Sequence, residues 1–436
     1  MQDHLERSTI RKVYWRLVPL LFLGLMFNSF DRFNVGFAAL RMNHDIGLNP
    51  VMFGLGASLF YFGYLLLGIP SNLLLHHIGA QKWLGWIVTV WGLISVLTAF
   101  IWNAHSFYGT RILLGAAEAG YLPGIAFYVT YWFPAAYRAR AIGGYLIGGQ
   151  IALLIGAPIS ALIMTALDGV LGLHGWQWMF ILESLPAILL GLALLALLTD
   201  RPANASWLSI EQRDWLQERL SKEKAEQEPG RPSRLVDIVT DRCAWSLALL
   251  FGFSLVGANA LHFWMPQIVD GLGHLSLIQV GMLSAGPSLC GIIGIVAVSY
   301  SSDRTGDRKF HLSCLYAAAA LALVASAYAP NHAIAYLLLC VVGLCINSSL
   351  TLYWSLSSLL MTGISAAGAI AFVNTIAQLG GIIGPWMSGY IRARTGSFTL
   401  VLVALAAFLL LSALITLTLR VTPKQNTVNK RAAVVL

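Results

Sequence analysis

The chain has 436 residues, of which 58% are hydrophobic and only 11% are charged, whereas a soluble domain carries about 25% charged residues. This composition excludes a water-soluble surface. Uncharged stretches such as residues 83–100 and 399–419 approach the roughly 20 residues that cross a bilayer, so the predicted class is an integral membrane protein.

Twelve apolar segments follow one another between polar breaks. They lie at residues 17–39, 52–75, 83–102, 106–132, 139–165, 177–198, 243–269, 275–300, 311–329, 333–361, 365–391 and 398–420. The first continues past Asp31 and Arg32 without a small-residue cleavage site, which indicates a retained span and not a signal peptide. The pattern predicts twelve transmembrane helices.

One long polar stretch, residues 200–242, separates two sets of six spans. We therefore predict an all-α membrane protein with an N-terminal six-helix bundle (1–199), a cytoplasmic linker (200–242) and a C-terminal six-helix bundle with a short tail (243–436). The fifth and eleventh spans share Gly-rich, Pro-containing patterns at equivalent positions, which favours two pseudo-symmetric halves.

Lysine and arginine are unevenly distributed over the predicted loops. One face receives 22 of the 27, including most of those near the N-terminus, in the linker and in the tail. Cytoplasmic loops hold this excess, so we expect both termini in the cytoplasm, with the chain in an inner (plasma) membrane. The net charge of +8 is attributed to this bias, and no nucleic-acid partner is expected.

Four ionisable residues lie well inside the predicted spans of the N-terminal half: Asp31, Arg32, Arg111 and Glu118. Such residues are rare at membrane depth and usually face a cavity or a partner. One interpretation is two structural ion pairs; the other is that the arginines bind an anionic substrate while the carboxylates exchange protons. Glu183, near the start of the sixth span, is interpreted as an interfacial residue.

The C-terminal half has neutral polar residues at membrane depth, among them Asn259, His262 and Asn374. They suit either hydrogen bonds between helices or contacts with a polar substrate. For His262, packing or hydrogen bonding to a neighbouring helix competes with a role in substrate choice. No nucleophile, metal cluster or phosphate loop is evident in the polar segments, so no catalytic residue, metal or cofactor is expected.

Several motifs resemble those of a known family. Residues 301–309 (SSDRTGDRK) resemble the signature loop of the major facilitator superfamily, between the eighth and ninth spans. Residues 30–38 (FDRFNVGFA), 69–72 (IPSN), 111–124 (RILLGAAEAGYLPG), 131–134 (YWFP) and 175–183 (GWQWMFILE) look like its anion:cation symporter family, in particular its tartrate, hydroxyphenylacetate and sugar-acid permeases.

The resemblance implies the major facilitator fold and assigns roles by position. Asp31 and Glu118 match the acids used for proton coupling, and Arg32 and Arg111 match the nearby basic residues. Positions that contact substrate in family members correspond to Tyr64, Gln150 and Asn374. His262 departs from the small or apolar residue expected at its position, and it is predicted to reshape the substrate pocket.

The expected function is proton-coupled symport of a small organic carboxylate by alternating access. The expected partners are that anion, the proton as coupling ion and membrane lipid, with the protein monomeric. A proton-independent organic anion exchanger is the alternative, and a non-transporting carboxylate sensor of the same fold is a further one. An enzyme is not expected.

Overall fold

The structure is a computed structural model that describes residues 2–226, 239–361 and 366–419. Within those ranges it consists of helices and connecting turns, without strands. The first half contains α1 (Gln2–Asp45), α2 (Pro50–Ile78), α3 (Ala80–Thr98), α4 (Ala104–Glu118), α5 (Tyr121–Trp132), α6 (Ala135–Ala166) and α7 (Gly175–Leu197). Two short 3₁₀ helices, Val170–Gly172 and Pro202–Asn204, flank α7.

A polar helix, α8 (Ile210–Glu226), precedes the second half. The second half contains α9 (Arg242–Asp270), α10 (Leu277–Thr305), α11 (Arg308–Ala327), α12 (His332–Leu360), α13 (Ala366–Ala377), α14 (Leu379–Thr395) and α15 (Thr399–Thr418). Helix α8 occupies part of the predicted linker. The rest of that linker, residues 227–238, and the predicted tail, residues 421–436, lie outside the described residues.

Twelve helical segments of the described chain are long and apolar enough to cross a membrane, which confirms the twelve predicted spans. The fourth is built from α4 and α5, with a turn at residues 119–120, and the eleventh from α13 and α14. The first extends well beyond its apolar part, because α1 begins at Gln2 and continues to Asp45.

Local sequence explains several helix ends. The Asn103 side chain accepts a hydrogen bond from the Ser106 amide at the start of α4, and Ser276 does the same for Gln279 at the start of α10. Both arrangements satisfy amides that have no partner within the helix. Helix α10 ends at Gly306, whose φ of 71° is a left-handed conformation that favours glycine.

The chain divides into two compact units. Unit 1 comprises residues 1–34, 62–156 and 163–229, and unit 2 comprises residues 35–61, 157–162 and 230–436. In unit 1, α3 packs along α7 and against α4. In unit 2, α10 packs on α12, α11 on α12 and α15, and α9 on α13, α14 and α15. The predicted domain boundaries stay a prediction.

Segment 35–61 is bound tightly within unit 2. The Tyr61 hydroxyl donates to Asn259 Oδ1 at 2.6 Å, and Ser58 Oγ donates to the Ile382 carbonyl at 2.6 Å. Glycine permits this approach, because a Cβ on Gly54 would lie 2.6 Å from the Pro385 carbonyl oxygen. The start of α2 therefore packs backbone to backbone on α14.

Candidate functional site

A buried ion pair joins α1 to α4 in unit 1. Arg32 Nη2 lies 3.0 Å from Glu118 Oε2, and Asn28 Nδ2 donates to the same oxygen at 2.8 Å. The Glu118 side chain is fully buried, whereas 18% of the Arg32 side chain is accessible. The second carboxylate oxygen, Glu118 Oε1, is buried without a hydrogen-bond partner among the described residues.

Helical spacing brings this group together. Asn28 and Arg32 are four residues apart on α1 and therefore share a face, and Arg32 Nη2 also donates to Asn28 Oδ1 at 3.4 Å. The guanidinium carbon of Arg32 also lies 5.4 Å from the ring centroid of Tyr64, on α2. The guanidinium is thus held by a carboxylate, an amide and an aromatic ring.

Arg111 is buried close to this pair. Only 1% of the residue is accessible, and its Nη2 donates to the main-chain carbonyl of Arg32 at 3.4 Å. Arg111 and Glu118 are seven residues, or about two turns, apart on α4, and both side chains are buried. The ion pair that Glu118 forms across helices is with Arg32.

Asp31 interacts with a different helix from its neighbour Arg32. Adjacent residues on a helix point about 100° apart, and Asp31 Oδ1 accepts a hydrogen bond from Ser95 Oγ of α3 at 2.9 Å. Asp31 is fully buried, and its Oδ2 has no hydrogen-bond partner within the described ranges. Asp31 is therefore a buried carboxyl group with one oxygen available.

Glu183 is a third buried carboxyl group of unit 1. It is 6% accessible, and its Oε2 accepts a hydrogen bond from Asn34 Nδ2 at 3.0 Å. Helix α7 begins at Gly175, so Glu183 lies two turns inside the helix. The interpretation of Glu183 as an interfacial residue is wrong, because the side chain faces α1 and not the end of α7.

The remaining predicted site residues are half-buried and belong to both units. Gln150, on α6, is in unit 1, and its Oε1 is buried without a hydrogen-bond partner in the described part of the chain. His262, on α9, and Asn374, on α13, are in unit 2. The cluster in unit 1 therefore contains Asp31, Arg32, Tyr64, Arg111 and Glu118, whereas His262 and Asn374 belong to the other unit.

Three hydrogen-bond partners of the buried charged groups, Asn28, Asn34 and Ser95, were not predicted from the sequence, and Glu183 was interpreted as interfacial. Helical spacing could have identified Asn28 and Asn34. Asn28 lies four residues before Arg32, and Asn34 lies three residues after Asp31, all on α1. Ser95 offered no such signal, since serine is common in membrane helices and its contact with Asp31 bridges residues 64 positions apart.

The described chain has twelve membrane-length helices, and unit 1 contains a buried network of charges and amides; both features are typical of a multi-pass membrane transport protein. The Major Facilitator Superfamily profile matches residues 21–385 and also residues 274–435. The chain belongs to the major facilitator superfamily. This confirms the fold and family predicted from the motifs, and it agrees with the expectation that the protein is a transporter and not an enzyme.

Two relatives and one solved structure extend the comparison. A protein of Agrobacterium vitis named "Putative tartrate transporter" is 40% identical, with 97% of this chain and 94% of the relative covered. The "Quinolone resistance transporter" of Acinetobacter baumannii is 38% identical, with 94% of each covered. The partially occluded inward-open xylose transporter XylE from E. coli shares the fold with a TM-score of 0.75, 15% identity and coverage of 95% and 99%.

Proposed function

We propose that this protein takes up a small organic carboxylate together with protons by alternating access. The proposal includes a bacterial inner membrane and cytoplasmic termini, which the distribution of lysine and arginine supports. The observation that carries the proposal is the buried pair Arg32–Glu118, in which the cation is partly accessible and the acid is not.

Arg32 can bind an anion because its side chain is partly accessible, whereas that of Glu118 is not. Guanidinium groups bind carboxylates through parallel, charge-assisted hydrogen bonds. A substrate carboxylate that reaches Arg32 competes with Glu118 for the guanidinium, since both are anions that accept from the same donors. Tyr64 lies against the guanidinium and limits the directions from which a substrate can approach.

The competition between Glu118 and the substrate carboxylate for Arg32 can also couple transport to a proton. Glu118 Oε1 has no hydrogen-bond partner among the described residues, so a proton can bind there while Oε2 still accepts from Asn28 and Arg32. Neutralising Glu118 weakens its attraction for Arg32 and leaves the guanidinium available for the substrate. Asp31 Oδ2 is likewise buried without a hydrogen-bond partner among the described residues, and Asp31 is proposed as the second proton site.

Tartrate and related hydroxy acids are the first substrates to test, because the Agrobacterium vitis relative carries tartrate in its name. The protein would be reconstituted in liposomes and offered labelled tartrate, sugar acids and aromatic acids, with and without an inward proton gradient. We expect accumulation of at least one carboxylate only when the gradient is present. Equal exchange in both conditions would favour the proton-independent exchanger.

Export is a second candidate, which the Acinetobacter baumannii relative favours by its name and similarity. The same liposomes discriminate between the two directions. For export, a proton gradient acidic inside the liposome would concentrate an external drug within it, and no carboxylate would accumulate under the opposite gradient.

A further inference from the structure

A basic pocket lies in unit 1 beside the first turns of α1. Its volume is about 540 Å³, and its walls include Arg11, Lys12, Trp15, Arg16 and Trp207. On a helix that rises 1.5 Å per residue, Arg16 and Arg32 are roughly 24 Å apart. The pocket is therefore separate from the ion pair of the proposed transport site.

The positive charges of this pocket are not balanced locally. No lining residue is acidic, and among the described residues Arg11, Lys12 and Arg16 form no ion pair. Basic residues elsewhere near helix ends do have acidic partners: Arg138 lies 3.4 Å from Glu223, and Arg308 lies 3.5 Å from Asp303. Lys12 and Arg16 are also four residues apart on one helical face, where like charges repel.

The far wall of the pocket is held in place. The Trp207 ring stacks on Trp132 at 5.3 Å and 18°, and its Nε1 donates to Thr199 Oγ1 at 3.3 Å. The guanidinium carbon of Arg16 lies 5.9 Å from the centroid of the same ring. The pocket therefore has one fixed aromatic wall, and the basic residues of α1 form another.

The pocket is at the point where α1 changes from polar to apolar. Residues 17–27 carry no charge, whereas residues 7–16 hold four basic side chains. Trp15 is 70% accessible beside this boundary. Tryptophan and basic residues in such positions lie at the level of the lipid headgroups.

We propose that this pocket binds the phosphate group of an anionic phospholipid headgroup. Arg11, Lys12 and Arg16 supply charge-assisted donors for the phosphate oxygens, and Trp15 and Trp207 contact the apolar edge of the headgroup. Basic pockets at membrane level are suited to such headgroups. Free inorganic phosphate offers the same oxygens, but it gains nothing from the aromatic walls.

The test is native mass spectrometry of the full-length protein from detergent, with lipid added back. Phosphatidylglycerol, cardiolipin and the net-neutral phosphatidylethanolamine would be titrated separately onto the wild type and onto the triple variant Arg11→Gln, Lys12→Gln, Arg16→Gln. The control is Arg213→Gln, Lys222→Gln, Lys224→Gln on α8, which removes the same charge from residues that do not line the pocket.

We expect the pocket variant to lose at least about tenfold in affinity for the first anionic lipid, because each basic residue at a lipid surface contributes about a factor of five. The control should bind as the wild type does. Equal loss in both variants, or no loss in the pocket variant, overturns the proposal. A parallel titration with inorganic phosphate distinguishes a lipid headgroup from free phosphate as the ligand. If phosphate displaces the lipid only at concentrations far above the lipid concentration, the headgroup is supported. If the protein binds phosphate but shows no preference for anionic lipid, the proposal is overturned.

Melting temperature in detergent provides a second measurement if the triple variant is poorly stable. Addition of phosphatidylglycerol should raise the melting temperature of the wild type and of the control more than that of Arg16→Gln alone. Equal increases in all three proteins contradict the proposal.

Discussion

Arg32 is the accessible member of the buried ion pair, with 18% of its side chain exposed against none for Glu118. Replacing it by lysine keeps the charge but removes the planar fork that binds both oxygens of a carboxylate. Arg32→Lys should weaken substrate binding by at least about tenfold, the equivalent of one charge-assisted hydrogen bond. Isothermal titration of the substrate found in the uptake screen measures this.

The matched control for this change is Arg219→Lys on α8. That residue is exposed and forms an ion pair with Glu223 in the same helix, so its replacement should leave affinity unchanged. Unaltered affinity of Arg32→Lys would mean that Arg32 pairs only with protein groups, which is the structural interpretation of the ion pair.

His262 belongs to unit 2 and is half-buried on α9, three residues after Asn259. Asn259 accepts a hydrogen bond from Tyr61 at 2.6 Å, which is the structural role considered for polar residues of these spans. We predict a different role for His262: His262→Ala should insert like the wild type but change the order in which competing carboxylates inhibit uptake.

The comparison for His262 is Asn259→Ala, which removes the hydrogen bond to Tyr61 and should lower the melting temperature, because a buried donor then loses its acceptor at a cost of about 1–3 kcal/mol. If His262→Ala behaves like Asn259→Ala, with lower stability and an unchanged order of inhibitors, then His262 is structural.

At the scale of elements, α2 and α14 depend on small residues for their contact. A Cβ on Gly54 of α2 would lie 2.6 Å from the Pro385 carbonyl oxygen and 3.2 Å from the Cα of Gly389, both on α14. A Cβ on Gly389 would in turn meet the Pro50 carbonyl oxygen of α2. Membrane helices associate through such contacts, because lipid provides no hydrophobic driving force between them.

Gly389→Ala should therefore destabilise unit 2 by about 1–3 kcal/mol, the usual cost of forcing an extra methyl group into a packed interface. Differential scanning fluorimetry of the variant measures the change. Gly109→Ala on α4 is the control, since nothing lies within 4 Å of its added Cβ, and it should melt at the wild-type temperature or above. Equal behaviour of the two variants would contradict the close packing of α2 on α14.

At the scale of the whole molecule, the proposed proton coupling would be a property of the complete transport cycle and not of one contact. Accumulation requires that protonation and substrate binding change together, whereas exchange of substrate for substrate does not require the proton to leave. A variant that cannot exchange a proton at Glu118 should separate these two activities.

Glu118→Gln keeps an acceptor for Asn28 and Arg32 but cannot ionise. We expect it to abolish accumulation driven by an inward proton gradient, to change the dependence of uptake on external pH, and to retain measurable counterflow. Liposome uptake with and without internal substrate tests all three. Glu218→Gln, on the exposed surface of α8, should transport normally. Gradient-driven accumulation by Glu118→Gln with wild-type pH dependence would show that the proton binds elsewhere.

The sequence alone determined the twelve spans, the family and the presence of charged residues in the first and fourth spans. These features are local or periodic: runs of apolar residues indicate membrane crossing, and helical spacing places Arg111 and Glu118 on a common face. The motifs around residues 30–38 and 111–124 were sufficient to identify the family.

Only the tertiary structure decided which charged group meets which partner. Glu118 pairs with Arg32, 86 positions away, Asp31 bonds to Ser95, and Glu183 is buried against Asn34, 149 positions away. Spacing along a helix cannot predict these contacts, because they depend on how far each helix is rotated about its own axis against its neighbours. That rotation is set by packing over whole helices, including glycine contacts that no single motif specifies.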